Sequence, residues 1–181
     1  MKRVYMLLAA SLLAVGVVVA VTAQAQERQA KTPAMKASAV PDTPEWQKLK
    51  SLVGNWEGVM EESGKKMPTT VDVRMTGDGS AIMHTMGRDT PYEMVTMFHP
   101  DGKRLLATHY CAAHNQPRMV LVPAKAPNQV AFRYLDGTNI SPGDTHITGV
   151  VMTFVDADHH EEAWSSTGES APTVFRYTRK K

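Results

Sequence analysis

The stretch VDVRMTGDGSAIMHTM, residues 71–86, decides the fold class of this chain. Apolar and charged residues alternate over 71–75, which is the period of a strand with one buried face. The glycines and aspartate at 77–79 favour a tight turn, and a second β-rich run occupies 81–86. Two short strands joined by a turn predict an antiparallel hairpin.

Runs of this kind continue to the end of the chain. They begin after Asn55 and recur at 92–99, 104–111, 118–122, 129–135, 145–155, 160–167 and 173–179. The longest predicted loop covers 135–144. About ten strands joined by short connections predict an all-β antiparallel meander. Because a long meander leaves costly open edges, we expect an up-and-down barrel of about ten strands, with a β-sandwich as the alternative.

A short amphipathic helix is predicted just before these strands. Thr43 suits the N-cap and Pro44 suits the first helical position. The apolar stripe of the helix consists of Trp46, Leu49, Leu52 and Val53. Gly54 is expected to end the helix, which would then cover one end of the barrel.

The N-terminus has the three parts of a secretory signal peptide. Lys2 and Arg3 are basic, and residues 4–21 carry no charge. The sequence Ala-Gln-Ala at 23–25 provides the small residues of a cleavage site. We therefore predict a signal peptide over residues 1–25 and a periplasmic or secreted mature protein. An uncleaved membrane anchor is the alternative, which the cleavage site disfavours.

Composition sets limits on the mature chain. The 20 Lys and Arg residues face 18 Asp and Glu, and the signal peptide holds two of the basic residues and no acidic one. The mature chain is therefore formally neutral, which gives no electrostatic reason to expect nucleic acid or a membrane as a partner. Residues 26–42 are polar and predict a flexible linker before one domain at 43–181. Cys111, the only cysteine, cannot form an intramolecular disulfide.

The segment LKSLVGNWEG, residues 49–58, resembles the opening of lipocalin-like barrels, including fatty-acid-binding and nitrobindin-like proteins. In those folds a tryptophan, here Trp56, closes one end of the barrel. A basic residue from the last strand packs across that tryptophan in lipocalins. The resemblance implies this role for Arg176.

The segments 91–119 and 156–164 are similar to a family of exported bacterial proteins of unknown function in the same lipocalin-like group. This resemblance covers roughly residues 45–180 and implies a barrel, but it implies no ligand. The chain has Met60 where the nitrobindin pattern has a further glycine. A haem-ligating histidine therefore cannot be placed by that pattern, and the cofactor stays unknown.

Polar side chains gather where the predicted strand 104–111 ends. They are His109, Cys111, Asn115, Gln116 and Arg118. One interpretation is the polar end of an apolar pocket, in which Arg118 meets a carboxylate or phosphate head group. The alternative is a hydrogen-bonded loop in which these side chains satisfy backbone groups.

We therefore predict a binding protein for a small apolar or amphipathic ligand, with an interior too large for side chains to fill. The candidate ligand-binding residues are Trp56, His84, Met94, Phe98, His109, Cys111, Arg118, Phe132 and Trp164. No residue is assigned a catalytic or metal-binding role. An enzyme, or a haem or copper protein, with a site around His109 and Cys111 is the competing hypothesis. A buried polar residue with a perturbed pKa would favour the enzyme. A filled barrel acting through its surface is a third hypothesis.

Two further residue groups carry mainly structural interpretations. Of the 12 methionines, all but Met1 and Met6 follow the signal peptide, and they predict an irregular core or an adaptable cavity. Together with His84, His109 and Cys111 they also suggest a soft-metal site for Cu(I). Residues 159–162, His-His-Glu-Glu, predict a solvated hairpin turn. The chain has no H-E-x-x-H, G-x-S-x-G, P-loop or dinucleotide-binding motif.

Overall fold

The computed structural model describes residues 39–62 and 64–181. The predicted signal peptide and the linker up to residue 38 lie outside the described residues. One helix and ten strands follow in chain order: α1 Pro44–Ser51, β1 Gly54–Glu62, β2 Lys65–Thr76, β3 Ala81–Met86, β4 Met94–Asp101, β5 Arg104–Tyr110, β6 Gln116–Val122, β7 Gln129–Thr138, β8 Ile147–Phe154, β9 His159–Ser166 and β10 Thr173–Arg179.

The strands close into one antiparallel up-and-down barrel, so the predicted fold class is confirmed. Each strand pairs with its neighbour in the chain, and β1 pairs with β10. The β1–β10 ladder runs from Trp56 opposite Arg179 to Glu61 opposite Val174. Closure leaves no sheet edge in the barrel, which is the physical reason for preferring a barrel over an open meander.

The alternation at 71–75 has the predicted structural meaning. Val71 and Val73 of β2 are each 2% exposed inside the barrel, whereas Arg74 is exposed. Two turn boundaries differ from expectation. β4 runs through Asp101, so the turn is shifted to Gly102 and Lys103, and β7 runs to Thr138 because its last residues pair with Gln116–Arg118 of β6.

Helix α1 begins as the sequence indicates. The Thr43 side chain accepts a hydrogen bond from the Trp46 amide, and Pro44 occupies the first turn. The apolar residues Trp46, Leu49 and Leu52 are at most 2% exposed. Val53, which was expected on the same stripe, is 39% exposed, because the helix ends at Ser51 and Gly54 is already the first residue of β1.

The helix packs over one end of the barrel. Trp46 and Leu49 join the core cluster, and the Lys48 ammonium donates a hydrogen bond to the Pro127 carbonyl, 2.5 Å away, in the β6–β7 loop. We call this end the floor and the opposite end the rim. Because neighbouring strands run in opposite directions, the odd-numbered strands begin at the floor and end at the rim.

The basic residue that packs across Trp56 is Arg179, so the assignment to Arg176 was wrong. The Arg179 guanidinium carbon lies 4.0 Å from the ring centroid of Trp56. Arg176 is exposed and pairs with Glu61 and Glu161. The difference is one of alternation: Arg179 lies opposite Trp56 in the β1–β10 ladder, whereas Arg176 lies opposite Val59 on the outer face.

Arg179 also ties the end of α1 to the barrel. Its three guanidinium nitrogens donate hydrogen bonds of 2.8, 2.8 and 3.1 Å to the carbonyls of Val53, Ser51 and Ala157. A Cβ on Gly54 would lie 2.6 Å from the Arg179 Nη1, and the Gly54 φ is +140°. The junction therefore requires a glycine beside the arginine.

We expect Arg179→Met to lower the free energy of unfolding by about 2 kcal/mol, because it keeps the aliphatic stem on Trp56 but removes three hydrogen bonds to carbonyls. Urea unfolding followed by tryptophan fluorescence measures the change. The matched control, Arg176→Met in the same strand, removes only exposed ion pairs and should have a much smaller effect. Equal losses for the two variants would contradict the role given to Arg179.

Candidate functional site

Side chains fill the barrel interior. The large inward-facing side chains that are at most 2% exposed are Trp56, Ile82, His84, Phe98, His109, Met119, Met152, His160, Glu162 and Tyr177. Water therefore reaches almost none of the surface of these side chains. The sequence predicted an interior too large to fill, but bulky aromatic and methionine side chains from ten strands occupy it around these residues. A ligand would therefore have to displace side chains.

A polar cluster lies inside this apolar core, centred on Glu162 of β9. One Glu162 carboxylate oxygen accepts hydrogen bonds from the Nε2 atoms of His84 and His160, at 2.8 and 3.1 Å. The other oxygen accepts a hydrogen bond of 2.8 Å from the Trp164 indole nitrogen. We call these four residues the Glu162 cluster. Since a carboxylate only accepts, both imidazoles carry a proton on Nε2.

The Glu162 cluster holds a buried charge. Burial by itself raises the pKa of Glu162, but the charge of His84 and the hydrogen bonds from His160 and His84 outweigh it and hold the pKa well below its usual range. Glu162 is 0% exposed. The carboxylate is therefore ionised at neutral pH without contact with water.

His109 lies beside the Glu162 cluster, towards the rim. Its Nδ1 is 2.8 Å from the Thr96 hydroxyl, and its ring packs against Trp164 with centroids 5.2 Å apart. Its Nε2 is buried and has no hydrogen-bond partner. Burial, followed by repulsion from His84, lowers the pKa of His109 to about 4. The imidazole is therefore neutral at physiological pH.

Towards the floor the polar cluster ends against aromatic rings. The His160 ring stacks on Tyr177 at 5.0 Å and meets the edge of Trp56 at 4.4 Å. Burial, together with the nearby Glu162 charge, raises the pKa of Tyr177. Polar groups therefore continue from His109 near the rim to His160 near the floor.

Most of the predicted site residues lie together inside the barrel. Those buried in the interior are Trp56, His84, Phe98, His109, Phe132 and Trp164. Met94 is partly buried at the rim end of β4, and Cys111 is partly exposed in the loop after β5. The structure does not bring Arg118 to this group.

Arg118 lies on the outer face of β6. Its guanidinium makes two hydrogen bonds, of 2.5 and 2.6 Å, to the Asp136 carboxylate, and this pairing raises the pKa of Arg118 and lowers that of Asp136. Asn115 donates to the Thr145 carbonyl, and Gln116 accepts from the Thr138 hydroxyl. Only the Asn115 contact satisfies a backbone group, as the hydrogen-bonded-loop interpretation expected, whereas Gln116 and Arg118 pair with side chains.

The expectation of a solvated turn at 159–162 was wrong. β9 starts at His159, which is exposed beside Asp156, and alternation then places His160 and Glu162 inside the barrel. The signal was present in the sequence, because Glu162 and His160 are two and four residues from the inward-facing Trp164. Thr96 and Tyr177 were also missed, and nothing local distinguishes them from other inward-facing strand residues.

Three further findings concern metal ligands, membrane-spanning helices and surface cavities. Within residues 39–62 and 64–181, no group of three or more His, Cys, Asp or Glu side chains is arranged to hold a metal ion. No helix in the same part of the chain is long and apolar enough to cross a membrane. A surface cavity of about 480 Å³ is lined by residues 140–146, 167 and 168, and none of the predicted site residues is among them.

Comparison with known proteins identifies a fold. No protein-family model and no curated protein matches this chain. The crystal structure of Rv2717c from M. tuberculosis superposes with a TM-score of 0.53 and 12% identity, over 78% of this chain and 100% of that one. A protein of unknown function from the DUF3598 family of Nostoc punctiforme PCC 73102 gives a TM-score of 0.50 and 14% identity, over 73% of this chain and 48% of that one. These similarities agree with a lipocalin-like barrel.

Proposed function

We propose that this barrel is an exported binding protein for a small apolar or amphipathic molecule that enters from the rim. The observation that carries the proposal is the buried Nε2 of His109, one of six buried side-chain nitrogen or oxygen atoms in the described residues that have no hydrogen-bond partner. An unsatisfied buried polar atom costs about 1–3 kcal/mol, so a ligand group that pairs with Nε2 would regain part of that free energy. A ligand hydroxyl or amine at this position would satisfy it.

Methionines on the rim side of His109 provide a route for the ligand. Met86 and Met94 are paired residues of β3 and β4 at the rim end of those strands, and Met94 is only partly buried. Methionine side chains are unbranched and change rotamer readily, so they can move aside at low cost. The ligand would then contact Trp164 and His109.

A barrel enzyme is the second candidate, because Glu162 and His109 are buried polar groups with perturbed pKa values. The geometry favours binding. The N–H groups of His84, His160 and Trp164 that face the Glu162 carboxylate are already hydrogen-bonded to it. Cys111 lies in the loop after β5 and not beside His109 in the packed interior. A haem or copper site would need His109 Nε2 as a ligand, so haemin and Cu(I) belong among the probes.

Native mass spectrometry of the protein purified from its source cells tests the proposal. We expect a mass excess over the polypeptide that is lost on mild unfolding. The released molecule should bind again to the refolded protein and be recovered with its mass unchanged, whereas an altered mass would favour the enzyme. A protein that carries nothing and stays empty with long-chain alcohols, amines, fatty acids, haemin and Cu(I) would contradict ligand binding.

Two predicted site residues form a matched pair for this test. His109→Leu should weaken binding of the released molecule about tenfold or more, because it removes the hydrogen bond proposed at Nε2. Arg118→Leu should leave binding unchanged, because its guanidinium lies outside the barrel. Equal loss in both variants would mean that the ligand sits elsewhere.

A further inference from the structure

We infer that the ligand of this barrel is a neutral or cationic amphiphile and not an anion such as a fatty-acid carboxylate. This inference rests on the proposed function and narrows its ligand class. It follows from the sign of the charges around the interior. Glu162 places a carboxylate there with 0% exposure, and the basic side chains buried in the described part of the chain are His84, His109 and His160, with no lysine or arginine among them.

Three arginines at the floor and on the outer face already have other partners. Arg179 lies at the floor, where its nitrogens bind three backbone carbonyls and its plane covers Trp56. Arg118 and Arg176 are exposed and paired with carboxylates on the outer face. An entering anion would therefore lose its hydration without gaining a guanidinium or ammonium partner.

The polar groups that a ligand would meet agree with this preference. His109 is a neutral imidazole whose Nε2 has no partner, so it suits a hydroxyl, which can donate or accept whichever ring nitrogen carries the proton. The Glu162 carboxylate lies just beyond, linked to His84 at 2.8 Å. At a pH where His84 carries no positive charge to offset it, this carboxylate would attract a ligand ammonium and repel a ligand carboxylate.

Three ligands that share the same alkyl chain and differ in head group test the inference. They are dodecanol, dodecylamine and dodecanoate, each used below its critical micelle concentration. Titrations at pH 8, above the ordinary pKa of histidine, are followed by tryptophan fluorescence, since Trp164 donates to Glu162 and packs against His109. We expect the alcohol and the amine to bind and dodecanoate to bind at least about tenfold more weakly, as like charges in a protein interior require.

Glu162→Gln removes the charge while keeping an oxygen that accepts hydrogen bonds. It should reduce the difference between dodecanoate and dodecanol to less than about threefold, whereas Glu161→Gln on the outer face should leave the difference unchanged. If Glu162→Gln does not fold, the three titrations of the unmodified protein still show whether the barrel binds dodecanoate more weakly than dodecanol. Dodecanoate binding as tightly as dodecanol would overturn the charge preference and leave ligand binding intact. Binding of none of the three, with an empty protein in native mass spectrometry, would overturn both.

Discussion

Glu162→Ala should lower the free energy of unfolding by about 3–5 kcal/mol, the usual cost of removing one partner from a buried charged network. The Glu162 carboxylate accepts hydrogen bonds from His84, His160 and Trp164, and all four residues are at most 4% exposed. Without it, three buried N–H groups lose their acceptor, and a space opens in the middle of the core.

Urea unfolding at pH 7.5 measures this loss, and the neighbouring residue supplies the control. Glu161 has the same side chain but faces outward and pairs with Arg176 on the surface, so Glu161→Ala should cost far less. If the two alanine variants lost the same stability, the interior position of Glu162 would be wrong.

Acidification from pH 7.5 to pH 5 should cost about 2 kcal/mol of stability through His109 alone. Burial, followed by repulsion from His84, lowers the pKa of His109 from 6.5 to about 4, so the unfolded chain binds this proton more readily than the folded barrel. The stability that His109 contributes is therefore complete above pH 6.5, is lost as the pH falls, and has gone by about pH 4.

The contribution of His109 is isolated by comparing stability–pH curves. His109→Gln cannot titrate, so its curve should be flatter than that of the unmodified protein between pH 7.5 and pH 5. The control is the same substitution at His159, which is exposed. A curve for His109→Gln parallel to the original would show that His109 does not resist protonation.

Glu162 affects a lower pH range. Its pKa is lowered in the folded state, so its contribution to stability is present above about pH 4.5, the ordinary pKa of a glutamate, and is lost as the pH falls below it. Loss of stability between pH 7.5 and 5 therefore reports on histidines, and steeper loss below that range includes Glu162.

The fold could be predicted because its determinants are local. Alternation such as that at 71–75 shows which face of a strand is buried, and turn residues such as those at 77–79 show where the strand ends. Short connections favour pairing between consecutive strands. Closure of ten such strands into a barrel removes the exposed edges that an open sheet would keep. The N-terminal signals of α1 are equally local, from the Thr43 cap to Pro44.

The candidate site was harder to predict because its contacts cross the barrel. His84 and Glu162 are 78 residues apart in the chain, and no local pattern indicates that they meet. The two misassigned arginines show a second reason. Arg118 and Arg176 lie on the outer faces of their strands, and a single residue of register separates an inward from an outward position.

Closure through β1 and β10 has a consequence for the order of events during folding. The strand that begins beside Trp56 obtains its second neighbour only from the strand that ends at Arg179, and the Lys180 amide still bonds to the Asn55 carbonyl at 2.8 Å. Contacts so distant in sequence form slowly, because the entropy cost of closing a long loop must be met before the contacts contribute any stabilising free energy. Until β10 pairs with it, β1 keeps an unpaired edge, so a partly folded chain exposes a strand edge at which edge-to-edge aggregation can begin.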